Sequence, residues 1–317
     1  MLYSSEIQFL SVQPHWQAVA HPVLDANAVQ LWLCTLQSKV AGVSGNKILK
    51  LHYPLQAALQ HGYSGIVTFG GAFSNHLCAV AASCQQLGLR SIAYVRAEQL
   101  DLNNPTLAFC QAQGMQLIAL DRQQYRLRHQ ADFLAQLKQR HPGFLLVPEG
   151  GSSTDGARGV SQLALEQTPA GRADLVVTAA ASGGTLAGLI NRRQSAALGI
   201  AVVKDASLFN KVQQLLLEPE PLPWQLNSDF CGAGYARFTP ALLQFCRDMA
   251  NQGIYTEPVY TGKALAGMIE LVRQGRIAAG SRLSFFHTGG LQGLNGLLYR
   301  GLITAADYAL LSGSAAD

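Results

Sequence analysis

A chain of 317 residues with 31 glycines, 49% hydrophobic residues and only 13% charged residues can bury a substantial core, with room for two units and a cleft. Its formal charge of +4 is scattered, without a basic block or interleaved aromatics, which excludes the footprint of a nucleic-acid binder. The first residues lack a basic start and apolar run, and every long apolar stretch is broken by polar residues, so a cytoplasmic protein without a membrane span is expected.

The pattern becomes regular near residue 55. An amphipathic helix at 55–60 leads to an apolar strand at 65–69, the turn Gly70-Gly-Ala-Phe-Ser-Asn-His76, and a helix at 75–87. A strand at 91–95, a helix at 104–113, a strand at 116–120, a helix at 132–139 and a strand at 144–148 follow. Such alternation predicts an α/β fold with a parallel sheet covered on both faces. Beyond Glu149-Gly-Gly-Ser-Ser-Thr-Asp155, a helix to about 167 precedes a strand at 174–179, which ends in Ser182-Gly-Gly-Thr185 ahead of another helix. The strongest break, Glu218-Pro-Glu-Pro-Leu-Pro-Trp224, suits a surface loop, and no internal repeat is present.

Both glycine-rich turns follow a strand and open a helix, so their N–H groups and helix dipoles can receive an anion. The spacing narrows the choice. A dinucleotide loop needs glycines at i, i+2 and i+5, but two residues past Gly183 and Gly184 stand Thr185 and Leu186. A nucleoside-triphosphate loop needs Gly-Lys-Ser/Thr, and the only Gly-Lys pair, Gly262-Lys263, is followed by Ala264. A small phosphate ester remains, for which the hydroxyls of Ser182 and Thr185 are suitable donors; pyridoxal phosphate and a sugar phosphate both fit.

A cofactor aldehyde needs a lysine with a lowered pKa, and lysine occurs only at positions 39, 47, 50, 138, 204, 211 and 263. Lys47 reads as part of a turn just ahead of the apolar region; a solvated surface role is the commoner fate of any one lysine. Ser74, Asn75 and His76 stand at a helix start, where capping explains one polar residue but not three. Six cysteines without a C-x-x-C pair suggest a reduced chain; no histidine pair has zinc spacing, so no metal is expected, and there is no G-x-S-x-G elbow.

Seven segments in one order carry a resemblance. They are Ser44-Gly-Asn-Lys-Ile-Leu-Lys-Leu51, Gly70-Gly-Ala-Phe-Ser-Asn-His76, Pro148-Glu-Gly-Gly151, Ser182-Gly-Gly-Thr-Leu-Ala-Gly188, Gly232-Ala-Gly-Tyr235, Glu257-Pro-Val-Tyr-Thr-Gly-Lys263 and Phe285-Phe-His-Thr-Gly-Gly290. Together they resemble the D-cysteine desulfhydrase and 1-aminocyclopropane-1-carboxylate deaminase family, among the fold type II pyridoxal phosphate enzymes. The resemblance implies a two-domain α/β fold of open parallel-sheet sandwiches, similar to the tryptophan synthase β-subunit. Residues 1–51 and 152–317 would form a large cofactor-binding domain and 52–151 a small substrate-side domain; a homodimer is the expected assembly.

By matching position, Lys47 resembles the lysine that carries the cofactor as an imine and later moves the substrate proton, with Lys50 as a basic residue near the phosphate. Asn75 resembles the partner of the ring hydroxyl, while Ser74 and His76 resemble residues facing the substrate and its carboxylate. Ser182, Gly183, Gly184 and Thr185 resemble the phosphate cup; Tyr235 and Tyr260 resemble aromatics lining the substrate side. Thr288 resembles a hydroxyl that meets the pyridine nitrogen, and a neutral partner there makes a weaker electron sink, which suits β-elimination. Deaminase members resemble Tyr-Glu-Gly-Lys where this chain has Tyr260-Thr-Gly-Lys263, which favours an amino-acid lyase converting D-cysteine to pyruvate, sulfide and ammonia. The alternatives are a cyclopropane amino-acid deaminase giving 2-oxobutanoate, and a non-catalytic pyridoxal phosphate-binding protein. The chain departs from the family at residues 33–41 and at Cys78, where a basic residue is common.

Overall fold

The computed structural model describes residues 7, 10, 13–217, 222–234 and 236–314. Strand β1 (His15–Ala18), helix α1 (Pro22–Ala26), β2 (Gln30–Thr35) and α2 (Asn46–Gln60) come first. They are followed by β3 (Gly65–Gly71), α3 (Asn75–Gln86), β4 (Arg90–Arg96), α4 (Pro105–Ala112), β5 (Gln116–Leu120), α5 (Arg122–Arg126), α6 (Ala131–Arg140) and β6 (Phe144–Leu146). A 3-10 turn (Glu149–Gly151) precedes α7 (Thr154–Ser161), the small hairpin of β7 (Gln167–Thr168) and β8 (Gly171–Arg172), β9 (Leu175–Ala180) and α8 (Gly184–Arg192). The remaining elements are β10 (Ala196–Ala201), α9 (Leu208–Gln213), β11 (Trp224–Asn227), α10 (Pro240–Ala250), α11 (Thr261–Arg273), β12 (Arg282–Phe286), α12 (Gly293–Tyr299) and α13 (Ala305–Ser312).

The longer strands form two open sheets, ordered β1-β2-β12-β9-β10-β11 and β5-β4-β3-β6. All their pairings are parallel except β1 with β2. Period-two alternation explains how the larger sheet is covered twice. Val177 and Phe285 pack with Leu265 and Met268 of α11, whereas their neighbours Val176 and Phe286 pack with Ile48 and Leu51 of α2 and Val160 of α7. This is the α/β, doubly covered parallel architecture that the alternation predicts.

Three local expectations change. Lys47 lies in the first turn of α2, not in a loop, because the helix starts at Asn46 and continues through Pro54. Proline ordinarily marks a helix boundary, and the turns before it bury Asn46, Lys50 and His52 beside Ile48 and Leu51, which hides the amphipathic rhythm. The helix expected to reach 167 ends at Ser161 and gives way to the β7–β8 hairpin. Strands β1, β2, β10, β11 and β12 add to those expected from the pattern. The proline-rich break lies partly outside the described residues, at 218–221.

Candidate active site

In parallel sheets, ligands bind beyond the carboxyl ends of the strands, and here the polar turns collect there. Strand β3 runs into Ser74 and α3, β6 into the Glu149–Gly151 turn, β9 into Ser182 and α8, and β12 into Thr288 and Gly289. The amino end of α2 meets them. Gly45 has φ +54°, and a Cβ there would lie 2.2 Å from the Thr288 carbonyl oxygen, so only glycine lets the two backbones approach. The Asn46 N–H donates to that same carbonyl at 3.1 Å. Asn46 Nδ2 donates to Thr185 Oγ1 at 2.9 Å, and Asn46 Oδ1 accepts from Lys47 Nζ at 2.8 Å. One side chain thus ties α2, α8 and Lys47 together.

Lys50 follows Lys47 by one helical turn, is 1% exposed, and donates from Nζ to Ser152 Oγ at 3.0 Å. Ser152 Oγ in turn meets Ser182 Oγ at 2.5 Å. A Cβ on Gly184 would lie 3.0 Å from Lys50 Nζ and 2.9 Å from Ser152 Oγ, so the glycine shapes a cradle at the start of α8. The half-buried Lys47 has its amine brought down to about 8 by burial. Burial and the Lys47 charge hold Lys50 well below the usual lysine range. Neither amine has a carboxylate partner among the described residues.

The substrate-side expectations fall in three places. Ser74 occupies the N-cap of α3, yet its side chain makes no capping bond, so the hydroxyl is not committed to the helix. Asn75 shares a crevice with Phe73, Ala236, Glu257, Tyr260 and Gly290, and a Cβ on Gly290 would lie 2.8 Å from Asn75 Nδ2. His76 turns inward and is 2% exposed. Thr68 Oγ1 donates to the Val147 carbonyl at 2.8 Å, so at the 2.8 Å contact with His76 it accepts from Nε2–H. The ring is thereby a tautomer whose Nδ1 is a buried acceptor without a hydrogen-bond partner. Burial, Lys47 and Lys50 hold His76 well below the usual imidazole range, so the ring is neutral. Tyr235 lies outside the described residues.

The far wall is built by α11 and the turn after β12. The Glu257 carboxylate accepts from the N–H groups of Val259, Tyr260 and Thr261, with a shortest contact of 2.6 Å, and so caps α11. Burial still pushes this carboxyl up to about 7. Thr261 Oγ1 donates to the Gly289 carbonyl at 3.4 Å. His287 Nδ1 accepts from the Gly289 N–H at 3.1 Å while its Nε2–H donates to the Tyr255 carbonyl at 2.9 Å, fixing the turn that carries the half-buried Thr288.

Sequence reasoning gave no role to Asn46, Thr68, Ser152, Glu257 or His287. Four of these lie in or beside the seven segments, so their positions were signalled and their partners were not. Thr68, a hydroxyl inside an apolar strand, carried no local signal. A separate pocket of about 210 Å³ lies at the amino ends of β9 and β10, lined by Leu175, Ala197, Trp224 and Arg276. It faces away from the glycine turns, and Arg276 is already paired with Asp229, so it is not the reactive site.

Residues 36–289 match the family model described as pyridoxal-phosphate dependent enzyme. The chain belongs to this family. It is an enzyme, and its cofactor is pyridoxal phosphate. A D-cysteine desulfhydrase of Serratia proteamaculans is 32% identical over 279 residues, spanning 80% of this chain and 84% of that protein. The mitochondrial bifunctional D-cysteine desulfhydrase/1-aminocyclopropane-1-carboxylate deaminase of Arabidopsis thaliana is 27% identical, over 84% of this chain and 74% of its own length. The crystal structure of an ACC deaminase homologue superposes with a TM-score of 0.78 at 26% identity, covering 94% of this chain and 99% of that one. That likeness accords with the fold type II, open parallel-sheet architecture. No described helix is long and apolar enough to cross a membrane.

The pyridoxal phosphate enzyme has residues that fit its cofactor. Two buried amines without a carboxylate partner call for an anion, and the α8 amino terminus, capped by no side chain, offers N–H groups beside them. The phosphate would be held by Ser182, Gly183, Gly184, Thr185, Ser152 and Lys50, and Lys47 would carry the aldehyde carbon.

Proposed function

We propose that this enzyme is a lyase for small amino acids, eliminating the β substituent of a substrate such as D-cysteine, whose remaining enamine takes up water to give pyruvate, sulfide and ammonia. When bound, pyridoxal phosphate supplies the electron sink for the charge left at Cα. The Lys47 amine, which burial brings down toward neutrality, would be the base that removes the Cα proton. Asn75 orients the ring hydroxyl, Ser74 faces the substrate, and Tyr260 lines its pocket. His76, buried with its Nδ1 turned toward Gly151 beside Lys50, supports the site from behind as an acceptor rather than as a cationic carboxylate clamp.

Thr261 carries the choice of elimination. Where deaminase members have a carboxylate, this chain has a fully buried hydroxyl bonded to Gly289, one residue from Thr288. A neutral hydroxyl at Thr261, rather than a carboxylate, leaves a weaker sink, sufficient when a leaving group departs with the electrons and poor for opening a carbon ring. An amino-acid panel tests the proposal: pyruvate and sulfide from D-cysteine are expected, whereas 2-oxobutanoate from 1-aminocyclopropane-1-carboxylate without sulfide release would give the deaminase reading instead. Borohydride reduction of the cofactor-loaded enzyme followed by peptide mapping is expected to label Lys47, and a label elsewhere removes its assigned role.

The same reading makes the enzyme a cytoplasmic homodimer. Its six cysteines are all free, in accord with a reducing compartment, and light scattering of the purified chain measures the assembly. The proposed domains, 1–51 with 152–317 and 52–151, follow the two sheets, with α2 crossing between them.

A further inference from the structure

Lys263 sits in the first turn of α11 and is 4% exposed, and no carboxylate among the described residues pairs with it. Its Nζ donates instead to three main-chain carbonyls: Val202 at 3.4 Å, Cys231 at 3.3 Å and Gly234 at 3.3 Å. An ammonium has three N–H groups, and here each has its own acceptor. Val202 follows β10 in the larger sheet, whereas Cys231 and Gly234 belong to the loop after β11. Three converging carbonyl oxygens make the cage by which a main chain holds a monovalent cation; in this fold the cation is covalently part of α11.

The loop matters for the site because it leads to Ala236, which is 8% exposed and lines the crevice with Asn75, Glu257 and Tyr260. The nearby Glu257 carboxylate is committed to the N–H groups of α11, so it does not relieve Lys263 of this task. We propose that Lys263 is a positioning residue whose ammonium acts as a built-in monovalent cation, pinning residues 231–234 to the end of β10 so that Ala236 forms a wall of the substrate pocket. The inference rests on the proposed reading of this crevice as the substrate side of a lyase.

The test uses the full chain loaded with pyridoxal phosphate and two variants, Lys263→Ala and Lys263→Met. Lys263→Ala is expected to keep the visible absorption of the bound cofactor while losing about a hundred-fold in kcat/KM for D-cysteine, the scale at which small displacements of a substrate wall act. Methylammonium or potassium ions restore much of that activity saturably, and tetramethylammonium at the same ionic strength does not. Lys263→Met fills the cage without charge and is not rescued. Full activity of Lys263→Ala in the absence of small cations overturns the proposal, as does a loss that no small cation relieves, or equal rescue by tetramethylammonium. If the wild type turns over no amino acid, the lyase reading fails on its own. Hydrogen exchange of 231–234 then decides the tether, through protection lost in Lys263→Ala and regained with methylammonium. If both variants refold poorly, methylammonium is expected to recover Lys263→Ala alone; recovery of neither counts against the cage.

Discussion

Half-buried Lys47 and buried Lys50 lie one helical turn apart, and each disfavours charge on the other unless an anion joins them. For Lys50 this separates stability from function. Lys50→Met is expected to raise the melting temperature of the cofactor-free chain, because an unpaired buried amine is removed. It is also expected to weaken pyridoxal phosphate binding by roughly 10- to 100-fold, the loss of about one charge-assisted hydrogen bond. Thermal melts and a spectroscopic titration measure the two effects, and unchanged affinity would remove Lys50 from the phosphate site. Lys47 gives a pH dependence of definite sign. Burial lowers its folded pKa from 10.5 to about 8, so between those values the unfolded chain binds more protons and stability rises with pH. The unfavourable contribution is complete below pH 8 and absent above pH 10.5. Without cofactor, Lys47→Met should therefore be more stable than the wild type near neutrality, with the gap shrinking in alkaline buffer. Urea midpoints across that window provide the check, and a gap that stays constant with pH contradicts the burial of the amine.

At the scale of elements, the decisive junction is where α2 crosses the turn after β12. Gly45→Ala would force a Cβ to 2.2 Å from the Thr288 oxygen at a positive φ. A cost of about 3 kcal/mol or more is expected, together with loss of cofactor, because Asn46 and Lys47 are displaced with the helix start. Chemical denaturation and the cofactor absorbance measure this, and a wild-type midpoint would show that the backbones are not in contact. The junction also shows what the sequence makes legible. Elements of the smaller sheet could be read because its strands are short apolar runs bounded by turn residues, as in the buried runs of β3 and β4, and β5 falls at Gln116–Leu120 as expected. Helix α2 was half concealed because Pro54 suggests a boundary and its buried positions include Asn46 and Lys50. The glycine- and serine-rich turns beside Asn75 and Ser182 could also be read locally, whereas the role expected of Asn75 came from the resemblance. Ser152 and Thr68 were not, because their meaning depends on partners brought by tertiary structure: Ser152 lies 102 positions from Lys50.

Across the whole molecule, the site draws on both sheets. Ser74, Asn75 and His76 follow β3 and the Glu149–Gly151 turn follows β6, whereas Ser182 to Thr185 follow β9 and Thr288 follows β12. The sheets are linked here through side chains that bridge them, Lys50 from α2 to Ser152 and Ser152 to Ser182. A ligand gripped from both sides adds its binding energy to their cohesion; at about 100-fold excess over Kd the stabilisation is about 2.7 kcal/mol. Pyridoxal phosphate should therefore slow hydrogen exchange on both sides at once: at the amino ends of α3 and α8, in the Glu149–Gly151 turn, and at 288–290. Inorganic phosphate alone should protect chiefly the start of α8 and its neighbours, because it lacks the ring proposed to reach Asn75. The difference between the two maps isolates the contribution of the ring. If pyridoxal phosphate protects only the larger sheet, Asn75 does not meet the cofactor, and the proposed substrate face along α3 must be abandoned even though the phosphate cradle stands.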